Sequence, residues 1–480
     1  METLTPVRVR GDLGPDVTGI SLSTQRIQPG DLYAALPGAR AHGAEFAATA
    51  LTAGAVGVLT DPAGAELLPP GAAALVVDQP RRVLGRVAAR IYGEPATAMR
   101  MIGVTGTQGK TTTTRLLADG LEAVGIIGAV IGTVGTRVAG TDIKTALTTP
   151  EAPDLHGLFA LMRERGVEAC AMEVSSHALV LGRVDGVVFD VATFLNLGRD
   201  HLDFHTDVDD YFMAKASLFT PERARQGLTN IDDEFGRRLL EGATIPMQTF
   251  ATQGPADWQA IDIELAGNGT SFTVLGPRGL RVLARVPVPG AFNVSNALAA
   301  IASAALVGLD AELVASGIGR GAGVPGRLEQ VDAGQDFVLV VDYAHKPDAV
   351  EAVISTLRPL TDGQVIVVLG AGGDRDPGKR SIMGAIAARL ADVLIVTDDN
   401  PRTEDPAEIR AAMLAGTGGG RAEVVEIGDR RTAIFEAVRR AAPGDVVLIA
   451  GKGHETGQEI RGEIHPFDDR VVAREAVAAR

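Results

Sequence analysis

The stretch Met101–Thr114, MIGVTGTQGKTTTT, decides the fold of this 480-residue chain. Met101 to Val104 reads as a buried strand and Gly106 to Gly109 as a turn. Lys110 and the threonines after it open a helix that runs on through Leu116, Leu117 and Leu121. Glycines let the backbone approach an anion, the free N–H groups of a helix start supply donors, and Lys110 adds a mobile positive charge. Thr111 offers a hydroxyl where Mg²⁺ would sit beside the phosphates. The strict GxxxxGK[ST] pattern fails at Val104, which stands in place of its first glycine. The shorter GTxGKT loop is a recognisable variant of it, so Gly106, Thr107, Gln108, Gly109, Lys110, Thr111 and Thr112 are expected to bind a nucleoside triphosphate.

The rest of the chain bounds what surrounds this loop. Its length calls for two to four domains. With 46% hydrophobic and 22% charged residues it reads as folded and soluble. A formal charge of −15 argues against a general nucleic-acid or anionic-membrane surface. The single cysteine, Cys170, excludes an internal disulfide framework and reads as an inert core thiol. The start, METLTPVRVRGDLG, lacks the blocks of a signal peptide and no apolar run approaches a membrane span, so a cytoplasmic protein is expected.

Upstream of the loop, DLYAAL, AEFAATALTAGAVGVLTD and AALVVD suggest a small α/β unit, closed by Gly93, Glu94 and Pro95 ahead of a boundary near residue 97. Downstream, VEACAMEV leads into SSHALVLGRV, and VVFDVATFLNL into GRDHLDFH. Open α/β sheets place ligands at such strand ends. FNVSNALAAIASAALVGL reads as an alanine-rich helix and PGRLE as a loop. The final third restarts the alternation with DFVLVVDYAH, QVIVVLGAGGDRD, ADVLIVTDDNPR and DVVLIAGKGHE, a doubly wound unit of its own. Its GAGGDR turn resembles a dinucleotide fingerprint, but Arg375 stands where GxGxxG needs glycine.

Several side chains at these ends suggest chemistry. Glu173 and His201, the latter flanked by Asp200 and Asp203, could position Mg²⁺ across a triphosphate; they read equally well as a helix-start anion and a satisfied polar residue. Lys215 lies on an amphipathic helix with Tyr211, Phe212 and Leu218. Residue type alone makes it a solvated lysine, although a buried one becomes neutral and takes on other chemistry. Asp342 and His345 end one strand, and Asp399 to Arg402 another. Arg402 and Arg375 could each grip a carboxylate with two prongs, or equally form surface ion pairs.

Taken in order, GVTGTQGKTTTT, MEVSSHAL, FLNLGRDHLDFH, AKASLF, NVSNALAA, PGRLE, VDYAHKPD, DNPR and GKGHE resemble the Mur ligase family over nearly the whole chain. The resemblance implies an α/β protein of three domains. Residues 1–97 would bind the UDP part of a substrate, 98–328 form a central P-loop ATPase domain, and 329–480 form a C-terminal Rossmann-like domain for an amino acid. It implies ATP and Mg²⁺ as cofactors, and a metal set of Thr111, Glu173, His201 and Lys215, the last as a carbamate. Lys110, Lys215, Glu173 and His201 would be catalytic. Asn296, Arg327, Asp342 and His345 would lie at the nucleotide, Leu22 and Thr24 at uridine, and Thr148, Thr149, Ser175 and Arg183 at a muramoyl dipeptide.

The resemblance is strongest to the branch that adds meso-diaminopimelate to the D-glutamate of a UDP-N-acetylmuramoyl dipeptide in peptidoglycan precursor synthesis. Arg375, Asp399, Asn400, Pro401, Arg402, Gly451 and Glu455 would then read the far amino-carboxylate end of diaminopimelate. The partners implied are these small molecules alone, with no nucleic acid and no membrane span, and the chain is expected to be a monomer. The alternatives are a lysine-adding relative, a folylpolyglutamate synthetase, and a nucleotide-binding regulatory protein that has lost catalysis. DNPR and the N-terminal extension disfavour the first two. Retention of Lys110, Glu173, His201 and Lys215 disfavours the third. Four places depart from the family's usual residues: Gln108, Gly198, Leu181, and Ser23–Gln25 around Thr24.

Overall fold

The computed structural model describes residues 8–12, 16–201, 204–266 and 269–480; Asp203 lies outside them. The strand that precedes the phosphate loop spans Arg100–Thr105 and the helix after it Lys110–Val124. That strand pairs in parallel with Ala169–Glu173 on one side and Val191–Phe194 on the other. It comes first in sequence yet lies between later strands, so the chain winds away from it in both directions. Parallel α/β sheets open a crevice beyond their carboxyl ends at such a switch point. The phosphate loop, Glu173 and the segment 195–201 all emerge there.

The sheet around it has eleven strands. Gly128–Gly132, Gly227–Asn230 and Met247–Ala251 extend its parallel centre. The antiparallel run of Trp258–Ala266, Gly269–Gly276 and Leu280–Val286 closes one side, and Gly135–Val138 with Thr141–Ile143 the other. The helix Ala291–Leu306 is buried along most of its length. Its run of alanines follows from that: small side chains let it lie against both the sheet and the helix Lys110–Val124. Asn293 and Asn296 sit on its first turns, next to the phosphate loop.

Upstream, Gly19–Ser21, Asp31–Ala34, Gly57–Thr60 and Ala74–Val76 form a parallel sheet, edged by antiparallel Arg8–Arg10. Downstream, the four apolar runs read from sequence are the strands Val338–Asp342, Val365–Leu369, Val393–Val396 and Val446–Ala450, all parallel. Glu423–Glu426 adds a fifth parallel strand and Glu329–Gln330 an antiparallel edge. A hairpin of Gly457–Ile460 and Glu463–Pro466 stands apart from this sheet.

Cys170 is fully buried in its strand, and burial pushes its thiol up to about 12, which fits an inert core residue. Arg26 pairs with Asp154 at 2.8 Å and Arg81 with Glu151 at 3.1 Å, tying the first sheet unit to the central one. No helix among the described residues is long and apolar enough to cross a membrane.

Candidate active site

The phosphate loop is held by its neighbours on the next strand end. Asn196 Oδ1 accepts from the amides of Thr107 and Gln108 at 3.2 and 2.9 Å, while its Nδ2 donates to the Gln108 carbonyl at 3.2 Å. Gln108 therefore serves the loop through its backbone, whatever its side chain. Gly109 adopts φ 85°, a left-handed conformation, and any Cβ there would run into Asn296 Oδ1. Asn296 thus lies directly against the loop. Neither Asn196 nor its clamp was picked out from the sequence, although FLNLGRD contains it.

Thr111 and Glu173 meet directly, with Thr111 Oγ1 donating to Glu173 Oε1 at 2.8 Å. Thr133 adds its amide to Oε1 at 2.8 Å and its hydroxyl to Oε2 at 3.1 Å. The buried carboxylate is thereby held rigidly at the strand end. Thr133 also bonds Thr148 at 3.1 Å, and Thr149 Oγ1 donates to the Glu173 carbonyl at 2.8 Å. Ser175 N donates to Thr149 Oγ1 at 3.3 Å, and Arg183 bonds the Thr149 carbonyl at 3.4 Å and Glu151 at 2.8 Å. Thr148, Thr149, Ser175 and Arg183 are thus one connected cluster beside Glu173. Leu22 packs into the core of the first sheet unit and Thr24 opens a short 3₁₀ turn beyond the strand Gly19–Ser21. Among the described residues no hydrogen bond links them to that cluster. Leu181 ends the short helix Ser176–Val180, and Arg81 reaches its carbonyl at 3.5 Å.

Lys215 is not a solvated lysine. Its side chain is only 1% exposed, lies 4.6 Å from the Tyr211 ring centre and donates to the Gly106 carbonyl at 2.9 Å. Burial, then the charge of Lys110, pushes its amine well below the ordinary lysine range. Lys110 donates to the same carbonyl at 2.6 Å and to that of Thr107 at 3.2 Å.

His201 pairs with its neighbour Asp200. Its Nε2 lies 3.0 Å from Asp200 Oδ2, and its backbone has φ 54°. Among the described residues no three His, Cys, Asp or Glu side chains converge as a metal cluster. What the site does offer is hard oxygen ligands at Thr111 and Glu173, the donor type that Mg²⁺ takes, beside an amine able to become a carbamate.

Across the crevice, Asp342 does not present a free carboxylate. Its oxygens accept from the amides of Leu328 and Ala344, both at 2.7 Å, which fixes the chain around Arg327. Burial raises its carboxyl, with Arg327 and those amides opposing. The Arg327 guanidinium stacks on Tyr343 at 4.3 Å. His345 Nδ1 lies 2.8 Å from the Tyr343 carbonyl, which only an N–H can satisfy. Burial and the nearby cations Lys346 and Lys379 push its imidazole down to about 3. It is therefore neutral, and its Nε2 is an acceptor.

The DNPR loop forms a second polar cluster. Asn400 Nδ2 donates to Glu455 at 2.8 Å; the fully buried amine of Lys452 donates to Asn400 Oδ1 at 2.9 Å and to Glu455 at 3.0 Å. Asp399 takes the Asn400 amide on Oδ1 at 2.7 Å, whereas its buried Oδ2 has no hydrogen-bond partner among the described residues. Gly451 lies against that oxygen, where a side chain would collide with it. Pro401 carries the turn to Arg402, which donates to the Gly373 carbonyl at 2.6 Å and lies 3.3 Å from Glu459. Its amide donates to the Glu459 carbonyl at 3.0 Å, and its carbonyl accepts from Arg461 N at 2.6 Å, so Arg402 is bonded into the hairpin. Arg375 is exposed and flanks the same glycine turn at Gly372. Lys452 and the hairpin were missed in sequence; the lysine of GKGHE was the available signal.

Fold and site together define a P-loop ATPase of three α/β domains. The Mur ligase family, catalytic domain, matches residues 16–92, the Mur ligase middle domain 104–304, and the Mur ligase glutamate ligase domain 326–453. The chain belongs to the Mur ligase family. A UDP-N-acetylmuramoyl-L-alanyl-D-glutamate–2,6-diaminopimelate ligase of Streptomyces avermitilis is 56% identical over 96% of this chain and 92% of its own. One of the same description from Corynebacterium glutamicum is 50% identical over 97% of this chain and 92% of its own. A solved structure of a ligase so described superposes with a TM-score of 0.69 at 34% identity, covering 96% of this chain and 95% of that one.

Proposed function

We propose that this chain is an ATP-dependent amide ligase that adds meso-2,6-diaminopimelate to the D-glutamate γ-carboxylate of UDP-N-acetylmuramoyl-L-alanyl-D-glutamate. It would act in the cytoplasm, as a monomer, in peptidoglycan precursor synthesis. The observation that supports the choice of amino acid is the polar cluster of Asp399, Asn400 and Glu455 beside Gly451, on the same loop as Arg402. A guanidinium and carboxylates carried on one loop cluster would suit the two charges of an amino-carboxylate end. The relatives described as diaminopimelate ligases support the same reading. The domains would be residues 1–97, 98–328 and 329–480.

The reaction would proceed in two displacements. A γ-carboxylate oxygen of the dipeptide attacks the γ-phosphorus of ATP, the bond to ADP breaks, and an acyl phosphate forms. The diaminopimelate amine then attacks the acyl carbon, the C–O bond to phosphate breaks, and the nitrogen loses a proton as the amide forms. Direct attack on a carboxylate would have to expel oxide, which is why the phosphate is needed. The amides at the start of the helix Lys110–Val124, with Lys110, would hold the phosphates and offset charge as it moves. Asn296, Arg327, Asp342 and His345 would frame the nucleotide, Leu22 and Thr24 the uridine, and Thr148, Thr149, Ser175 and Arg183 the dipeptide. Mg²⁺ would screen the phosphate charge, held by Thr111, Glu173, His201 and the carbamate of Lys215.

The test is phosphate release with ATP, Mg²⁺ and the UDP-muramoyl dipeptide, offering diaminopimelate, lysine and ornithine in turn. Release should require all components and favour diaminopimelate. Equal rates with lysine would overturn the assignment of the amino acid.

A further inference from the structure

Two residues of the C-terminal unit, Lys346 and Asp348, touch the 198–201 segment of the ATPase unit. Lys346 Nζ pairs with Asp200 Oδ2, both side chains largely withdrawn from water, and Asp348 Oδ2 lies 3.2 Å from where a Cβ on Gly198 would sit. Both residues belong to the entry into the helix Pro347–Leu357. The same Asp200 oxygen lies 3.0 Å from His201 Nε2. His201 itself sits at φ 54°, a conformation costly for a residue with a Cβ and kept only where the surroundings impose it.

We propose that Lys346 is a positioning residue for the reaction: through Asp200 it docks the C-terminal domain onto the ATPase domain and fixes where the His201 imidazole points. One carboxylate oxygen then serves two masters, a cation from one domain and a histidine from the other. Separation of the domains removes the cation and leaves Asp200 to His201 alone. Domain closure and His201 orientation are in this way one event. Glycine at 198 belongs to the same device, since it keeps the approach of Asp348 open.

The test uses the full chain with Lys346→Met, Lys346→Arg, Asp200→Asn and the double substitution Lys346→Met/Asp200→Asn. Small-angle scattering of the substrate-free protein should give a larger radius of gyration for Lys346→Met than for the parent, and Lys346→Arg should restore it. In turnover, Lys346→Met should lower kcat roughly tenfold with the KM for the UDP-dipeptide unchanged, and the double substitution should be no worse than the worse single one. Unchanged scattering for Lys346→Met, or losses that simply multiply in the double substitution, would overturn the proposal. The kinetic arm presupposes the ligase reading and the scattering arm does not. A chain that shows the scattering change but no turnover would retire the ligase reading and keep the latch.

Discussion

The amines of Lys110 and Lys215 converge on one atom, the carbonyl oxygen of Gly106, at 2.6 and 2.9 Å. Two ammonium groups on one neutral acceptor in a buried place repel each other, so the pair divides its charge. Burial lowers Lys110 to about 8, with Glu173 supporting the charged form, and burial followed by the charge of Lys110 lowers Lys215 well below the ordinary lysine range. The charge of Lys110 thus weighs against a second charge on Lys215, whose amine is pushed down by burial and by Lys110. Under the proposed ligase reading, phosphate binding would use the charged Lys110 and carbamate formation an uncharged Lys215.

The pH dependence follows from Lys110. Binding of phosphates favours its ammonium, which the free protein loses as pH rises through about 8. Affinity for a non-hydrolysable ATP analogue should therefore be level below pH 7 and fall above pH 8, by at most about tenfold per unit. Stability should move the opposite way. The unfolded lysine keeps its proton to about 10.4, so between about 8 and 10.4 the unfolded state holds more protons and folding gains with pH. Titration calorimetry and thermal melts across this window measure both slopes, and parallel slopes would refute the assignment to Lys110.

Lys215→Ala should reduce turnover by at least about a hundredfold, the scale of losing one group that stabilises transition-state charge. Short carboxylic acids such as acetate or propionate should restore part of the rate by placing an oxygen anion in the space vacated. Full activity of the untreated variant would remove the carbamate from the mechanism.

Arg402→Lys keeps the charge and loses the fork. The contacts to Gly373 and Glu459 orient the guanidinium plane, and an ammonium has no plane to orient. The expected result is a drop in kcat/KM for diaminopimelate of roughly 10- to 200-fold, the range for a charged hydrogen bond. The KM for the UDP-dipeptide should not move.

Arg430 and Asp469 form a fully buried ion pair of two bonds, Nε at 2.8 Å and the second nitrogen at 2.7 Å. Arg430 also donates to the Ala450 carbonyl at 2.9 Å, at the end of the strand that leads to Gly451. Asp469→Ala leaves a buried guanidinium unpaired and should cost about 3–5 kcal/mol. Urea denaturation would measure it; a loss under 1 kcal/mol would show that water reaches the site.

What could be read from the sequence is what local chemistry writes locally. The phosphate loop declares itself through glycines, a lysine and threonines in register, and the parallel strands through unbroken apolar runs. Burial of Lys215 was hidden, because its helix shows an ordinary amphipathic pattern and the wall against it comes from Tyr211 and the loop itself. The Asn196 clamp and the Lys452 network join residues from separate strand ends, and the Arg430–Asp469 pair joins the starts of two helices, facts that only topology supplies. The edge strand Glu423–Glu426 begins and ends in glutamate and is too short to stand out. The antiparallel run from Trp258 to Val286 carries many polar residues on its outer face, so its strands do not read as core.

The bonding of Arg402 into the hairpin Gly457–Ile460 has an evolutionary side. Pairing of this kind moves only by whole residues, and one step reverses which way each side chain faces. A lengthened DNPR turn or a shortened hairpin would swing Arg402 from one side to the other, with nothing in between. Amino-acid preference in this scaffold would thus change by jumps, carried in matched insertions of two segments lying far apart in the chain.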